Sequence, residues 1–190
     1  MDGTGTALAG ELNYDSPAVK LAAVHYRDGD GGLADRLLAD AAIRLRSEGF
    51  RLAGVIQHNS DCGERSCCTM TLEDLATSRL IRISEDRGPH ASGCRLDSGA
   101  LEEAVGLVTS AIDAGADLLV VNKFGKRECE GHGFRAAIDA ALTAGIPVLA
   151  GVNEQSASGW SEYAQDISQR LPLDEDAVSA WLRGAVAAKV

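Results

Sequence analysis

Short continuous apolar runs alternate along this chain with stripes at helical spacing. Leu21–Tyr26 is a compact apolar run with His25 near its end, the pattern of a buried strand. Arg27–Gly32 (RDGDGG) is a glycine-rich turn. From Leu33 to Ser47, the positions Leu33, Leu37, Leu38, Ala41, Ala42 and Leu45 recur at helical spacing, and Gly49 ends that helix. Arg51–Gln57 reads as a second strand. Strand, turn, helix and strand in that order predict a βαβ unit, and hence a parallel sheet covered by helices. The pattern breaks over His58–Cys94. Its apolar runs, around Met70–Leu72 and Leu80–Ile83, are short, and the stretch reads as an excursion from the sheet in the form of a hairpin arm.

Regularity returns at Asp97, which with Ser98 is a candidate cap for a helix carrying Leu101, Ala104, Val105, Val108 and Ile112 on one face. Gly115 closes it. Asp117–Val121 (DLLVV) predicts a central parallel strand, Asn122–Gly133 a polar loop, and Phe134–Leu142 a helix closed by Gly145. Ile146–Val152 predicts a further strand, with Pro147 at its start where a missing donor is tolerated. Two helices finish the chain, near Trp160–Ser168 and Glu175–Ala188, the second capped by Asp174. The fold class is α/β, with a mainly parallel sheet flanked by helices and an irregular cysteine-rich insertion. Residues 1–17 read as a flexible leader, and 18–190 as a single domain that includes the insertion at 58–94.

Charge narrows the partners. Lys and Arg number 18 against 28 Asp and Glu, a formal charge of −10 over 190 residues. Such a surface repels nucleic-acid phosphates and anionic lipid, so neither nucleic acid nor membrane is an expected partner. No apolar run approaches the length of a membrane span, and Met1–Gly10 lacks the basic start and apolar core of a secretory signal. The five cysteines are odd in number and clustered, which suits reduced thiols in a cytoplasmic protein. Nothing in the sequence specifies an oligomeric state or a protein partner.

Three segments carry a resemblance: AAVHYRDGDGGLADRLLADAAIRLRSEGFRLAGVIQ, GPHASGCRLDSGALEEA, and GADLLVVNKFGKRECEGHGFRAAI followed by GIPVLAGVN. Over roughly Leu21–Trp181 they resemble the DUF2478 family of bacterial proteins, most specifically in NKFGKRECEG and GCRLD. The resemblance implies a link to molybdenum metabolism, since members are often encoded near molybdate-transport genes, and it implies no particular activity. That family is in turn similar to small P-loop nucleoside triphosphatases of the THEP1 type, which implies a P-loop NTPase-like sheet. Those proteins carry an acidic pair, in a context resembling DEIGKME, where this chain has Asn122-Lys123-Phe124-Gly125-Lys126-Arg127-Glu128.

Both motifs of such enzymes are altered here. A working phosphate loop, GxxxxGK[ST], uses its Lys on the outer phosphates and its hydroxyl on Mg²⁺. Arg27-Asp28-Gly29-Asp30-Gly31-Gly32-Leu33-Ala34 contains no Lys, Ser or Thr and adds two acids. After the later strand, where a carboxylate should hold Mg²⁺, stand Asn122 and Lys123. Bound Mg-nucleotide is therefore disfavoured. In its place, the basic run Lys123, Lys126 and Arg127, with Asn122, should lie at the C-terminal edge of the sheet, where open α/β sheets place ligands. Arg27, the amides of Gly31 and Gly32, and Arg95 are candidates to join it in holding a small anion or a nucleotide-like compound. The competing reading is a plain strand-to-helix turn beside a solvated loop whose lysines are simply surface charges, or one whose Lys123 pairs with Asp28 or Asp30.

The cysteine segment offers His58, Cys62, Cys67, Cys68, His90 and Cys94, thiolate and imidazole donors suited to zinc or an iron centre. Buried thiols of purely packing value are the competing reading. Cys129 and His132 could form a pair, although Gly131 and Gly133 make loop shaping the simpler account. The reading as a whole is a non-hydrolytic binding protein for a small anion or nucleotide-like ligand. The alternatives are a divergent NTPase or phosphotransferase using Glu128 or Glu130, and a cysteine-centred metal-binding or regulatory protein.

Overall fold

The structure is a computed structural model that describes residues 20–59, 69–85 and 95–187. The leader expected over 1–17 lies outside the described residues. In chain order the elements are β1 (Leu21–Tyr26), α1 (Gly31–Ser47), β2 (Leu52–Asn59), β3 (Met70–Asp74), β4 (Leu80–Arg82), β5 (Ser84–Glu85) and β6 (Arg95–Leu96). There follow α2 (Ser98–Asp113), β7 (Leu118–Phe124), α3 (Lys126–Cys129), α4 (Arg135–Thr143), β8 (Val148–Asn153), α5 (Ala157–Ala164), β9 (Ser168–Leu171) and α6 (Glu175–Ala187).

Seven strands form one sheet in the order β4-β3-β2-β7-β8-β1-β9. The run from β2 to β9 is parallel throughout, and β3 and β4 add antiparallel at the β2 edge. The short strands β5 and β6 pair antiparallel with each other, Glu85 opposite Arg95. The hairpin expected within 58–94 is therefore present, but it extends the main sheet instead of leaving it, because Met70–Asp74 takes up the free edge of β2.

Alternation within the strands splits the core into two layers, because successive side chains leave opposite faces of a sheet. Leu21, Ala23, Leu119, Val121, Val148 and Ala150 face a layer with Val108 of α2, Ile138 of α4 and Trp160 of α5. Ala22, Val24, Leu118, Val120 and Leu149 face the other, with Leu38 and Leu45 of α1 and Trp181 and Leu182 of α6. Burying each large aliphatic side chain contributes roughly 1.5–3 kcal/mol, so these two layers hold the sheet between its helices. Asp97 caps α2 by accepting a hydrogen bond from the Ala100 amide at 3.0 Å, and Asp174 caps α6 through the Ala177 amide at 2.9 Å.

Three boundaries differ from the sequence pattern. The β7 strand runs on through Asn122, Lys123 and Phe124, so the expected loop over Asn122–Gly133 starts as strand and contains the one-turn helix α3. Phe124 is the reason: it is fully buried, with Trp160 edge-on at 4.9 Å between ring centroids and Tyr163 stacked at 5.5 Å. The expected helix over Trp160–Ser168 ends at Ala164, and Ser168–Leu171 forms β9 beside β1. That strand has a single buried residue, Leu171, which leaves little apolar pattern to read. No helix among the described residues is long and apolar enough to cross a membrane.

Candidate functional site

Four parallel strands end on one cavity of about 240 Å³, lined by Tyr26 at the end of β1, Gln57 and Asn59 of β2, Lys123 of β7 and Asn153 of β8, together with the turn into α1. This is the C-terminal edge at which α/β sheets bind ligands. The turn itself is tight. Only Arg27–Asp30 separate β1 from α1, and the helix is established by the amides of Leu33 and Ala34, both donating to the Asp30 carbonyl. Gly29 makes this possible with φ of +99°, a backbone region that side-chain-bearing residues rarely adopt. Arg27, Gly31 and Gly32, expected to contact a ligand, all line this cavity.

Asp35, half-buried in the second turn of α1, is the centre of the polar network. Its Oδ1 accepts from Asn122 Nδ2 at 2.8 Å and its Oδ2 from Asn59 Nδ2 at 3.0 Å; Gln57 Nε2 in turn donates to Asn59 Oδ1 at 2.8 Å. Burial raises the Asp35 pKa, and the hydrogen bond from Asn122, the Lys123 ammonium, His58 and the hydrogen bond from Asn59 act in the opposite direction. Tyr26 beside it is pushed up to about 12 by burial and by the Asp35 and Asp28 carboxylates. The sequence reading missed Asp35, although a spacing could have found it. Counting GxxxxGK[ST] from Gly29 puts Ala34 at the second glycine, Asp35 at the lysine and Arg36 at the hydroxyl.

A β-bulge interrupts β7 at Asn122 and Lys123. Val121 pairs with Ala150 but Phe124 pairs with Val152, so β7 carries one extra residue across this interval. The bulge brings the Asn122 carbonyl against Gly151, where a Cβ would sit 2.4 Å from that oxygen; only glycine fits. Asn122 is 2% exposed and its Oδ1 has no hydrogen-bond partner among the described residues. Lys123 is exposed and forms no ion pair with a described carboxylate. The competing expectation that it pairs with Asp28 or Asp30 does not hold; Asp28 accepts instead from Gln155 Nε2 at 2.7 Å.

The basic run reaches one cavity from two elements, β7 and α3. Phe124 points into the core, Lys123 leaves the strand, and Lys126 and Arg127 sit on α3. Asn122, Lys123, Lys126 and Arg127 line a second, mainly apolar cavity of about 270 Å³, walled by Leu72, Ile83, Leu101 and Phe134 among others. Lys123 and Gln57 border both cavities. Arg127 donates to the Ser98 hydroxyl, while Lys126 lies 3.8 Å from Glu130 in an exposed pair of small energetic value. Arg95 stands on β6 next to Leu96, which lines the second cavity.

Glu128 is a structural group. It is 5% exposed, and its two carboxylate oxygens accept from the amides of Gly125 at 2.9 Å and Phe134 at 3.1 Å, closing the loop around α3. Cys129 is half-buried, and burial, followed by the neighbouring Glu128 carboxylate, raises its pKa, so the thiol is protonated at neutral pH. His132 is exposed. Of the six expected metal donors, Cys62, Cys67, Cys68, His90 and Cys94 lie outside the described residues, and His58 Nε2 is 2.9 Å from Glu73 Oε2. Among the described residues no group of three or more His, Cys, Asp or Glu side chains is arranged to hold a metal ion.

Residues 21–181 match the model of the family described as "Protein of unknown function (DUF2478)". The chain belongs to the DUF2478 family. It is also similar to the molybdenum import ATP-binding protein ModC 2 of Bradyrhizobium diazoefficiens, at 38% identity over 164 residues. The matched region is 86% of this DUF2478 chain and 18% of that protein, so the chain spans less than a fifth of the relative's length. No solved structure matches. The mostly parallel sheet and the similarity to an ATP-binding protein together give a P-loop NTPase-like fold.

Proposed function

We propose that this protein is a non-hydrolytic binding module for a small anionic or nucleotide-like ligand, serving molybdenum metabolism. The observation that carries the first half is Asp35 hydrogen-bonded to Asn122 at 2.8 Å. Phosphoryl transfer relies on positive charge and a metal around the transferring group. Here the α1 position carries the negative charge and the β7 position a neutral amide, which reverses the electrostatics of hydrolysis while leaving the sheet intact. The anion then falls to Lys123, Lys126 and Arg127 at the strand edge. The molybdenum link rests on the relative's name as an importer's ATP-binding protein.

The alternative of a divergent NTPase loses much of its support, because both Glu128 oxygens already hold backbone amides and Glu130 is exposed beside Lys126. Phosphate release from Mg-ATP and Mg-GTP is the test. Release at the blank rate supports the binding module. Release above blank that is abolished by chelator and by Glu130→Gln contradicts it.

A further inference from the structure

The cavity at the strand ends is bordered by charges of both signs. Arg27 and Lys123 are its cations, and Asp28 and Asp35 its acids. Two of the four are engaged at the rim: Arg27 lies 3.9 Å from Glu154, and Asp28 accepts from Gln155 Nε2 at 2.7 Å. Lys123 and Asp35 remain. They border the same space of about 240 Å³, and no ion pair joins them. No aliphatic side chain stands among the described lining residues, so nothing there favours a ligand with an apolar body.

Asp35 is held in this cavity as an acceptor. Asn122 Nδ2 donates to Oδ1 and Asn59 Nδ2 to Oδ2, and each carboxylate oxygen has room for a second hydrogen bond. The side chain is half-buried and lines the cavity, so an occupant reaches it. Lys123 is its opposite, a group that only donates. An occupant that satisfies both must offer an anionic oxygen to Lys123 and a donor to Asp35. A fully ionised oxyanion has acceptors alone, and its oxygen would meet the Asp35 carboxylate as like charge on like charge. One proton on the oxyanion turns that contact into an O–H···O⁻ hydrogen bond of the charge-assisted kind. The amides of Gly31 and Gly32, in the first turn of α1 where no intrahelical acceptor is within reach, supply donors for the remaining oxygens.

We propose that this cavity binds a free tetrahedral oxyanion carrying one proton, of the hydrogen phosphate type, and that Asp35 selects it against fully ionised oxyanions such as sulfate and molybdate. The proposal rests on the anion-binding reading above, with which it shares Lys123, and narrows the ligand class. Selectivity here comes from a repulsive element as much as an attractive one. Molybdate itself is thereby excluded as the ligand of this cavity.

The test titrates phosphate, arsenate, sulfate and molybdate into the full chain by calorimetry in slightly alkaline buffer. All four are then chiefly dianions of similar shape, and only the first two carry a proton. ADP is titrated beside them. Phosphate and arsenate should bind saturably, and sulfate and molybdate at least about tenfold more weakly. Asp35→Asn removes the repulsion and should erase that preference by strengthening sulfate and molybdate, while Lys123→Ala should weaken phosphate about tenfold. Equal affinity of the wild-type chain for the four, or tighter binding of sulfate or molybdate, would overturn this proposal and leave the anion-binding reading standing. Binding of ADP with none of the four would do the same. No binding by any of the five would overturn both. A phosphate preference that persists in Asp35→Asn would remove Asp35 from the selection. The wild-type ranking decides the ligand class independently of either variant.

Discussion

Asp35 on α1 and Asn122 on β7 face each other at 2.8 Å, carboxylate oxygen to amide nitrogen. The pair joins the helix that follows the glycine turn to the end of the central strand β7. Hydrogen-bonded to each other, they form one arrangement with its own requirements.

The first requirement concerns pH. Burial raises the Asp35 pKa, so the folded state holds its proton more tightly than the unfolded chain. Ionised Asp35 therefore costs stability above its folded pKa. The cost shrinks as pH falls through that value and is gone below the ordinary carboxylate value near 3.8, where both states are protonated. The stability of Asp35→Asn relative to the wild type should be greatest at pH 7 and should decline by about pH 3. Thermal melts of both proteins across this range check it. An advantage that grew towards acid would reverse the sign and contradict the account.

Glu128 should matter to folding and not to chemistry. Glu128→Ala leaves the Gly125 and Phe134 amides without their acceptor in a buried loop. At about 1–3 kcal/mol for each of the two groups, the loss should be roughly 2–6 kcal/mol in urea denaturation, with no change in phosphate release from nucleotides. A fully stable variant would show that the loop closes by other means.

The bulge in β7 depends on Gly151. A methyl there would meet the Asn122 carbonyl at 2.4 Å and Leu38 Cδ1 at 3.2 Å. Gly151→Ala should cost at least the upper part of the ~1–3 kcal/mol range for overpacking, and should displace Asn122 and Lys123 together. Ligand affinity should then fall further than Lys123→Ala alone lowers it. Equal effects of the two substitutions would show that the bulge is not what positions the site.

Much of the architecture was legible because its signals are local. The apolar runs at Leu21–Tyr26 and Leu118–Val121, the helical stripe from Leu33 to Leu45 and the caps at Asp97 and Asp174 each declare themselves within a few residues. The site was legible less fully. Asn122 and Lys123 look like loop because they are polar, and only the burial of Phe124 in the aromatic cluster with Trp160 and Tyr163 shows that the strand continues. Lys123, Lys126 and Arg127 read as one basic patch, and all three line one cavity, although Lys123 comes from β7 and borders the other cavity too. Strand β9 was hidden because an edge strand needs only one buried residue, Leu171. Asp35 was hidden because an acid inside a helix is ordinarily surface charge, and its meaning comes from Asn122, 87 residues away in sequence.

The central claim is that cations at the strand edge bind an anion without metal-dependent turnover. Calorimetric titration of ADP, phosphate and molybdate, with and without Mg²⁺, into wild-type protein and the Lys123→Ala/Lys126→Ala double variant tests it most directly. The account predicts saturable binding of at least one of these anions that is indifferent to Mg²⁺. The double variant should weaken that binding tenfold or more, as losing charge-assisted contacts worth roughly 1.5–3 kcal/mol each requires. Absence of binding by all three, or binding that needs Mg²⁺ and is unchanged in the double variant, would contradict it.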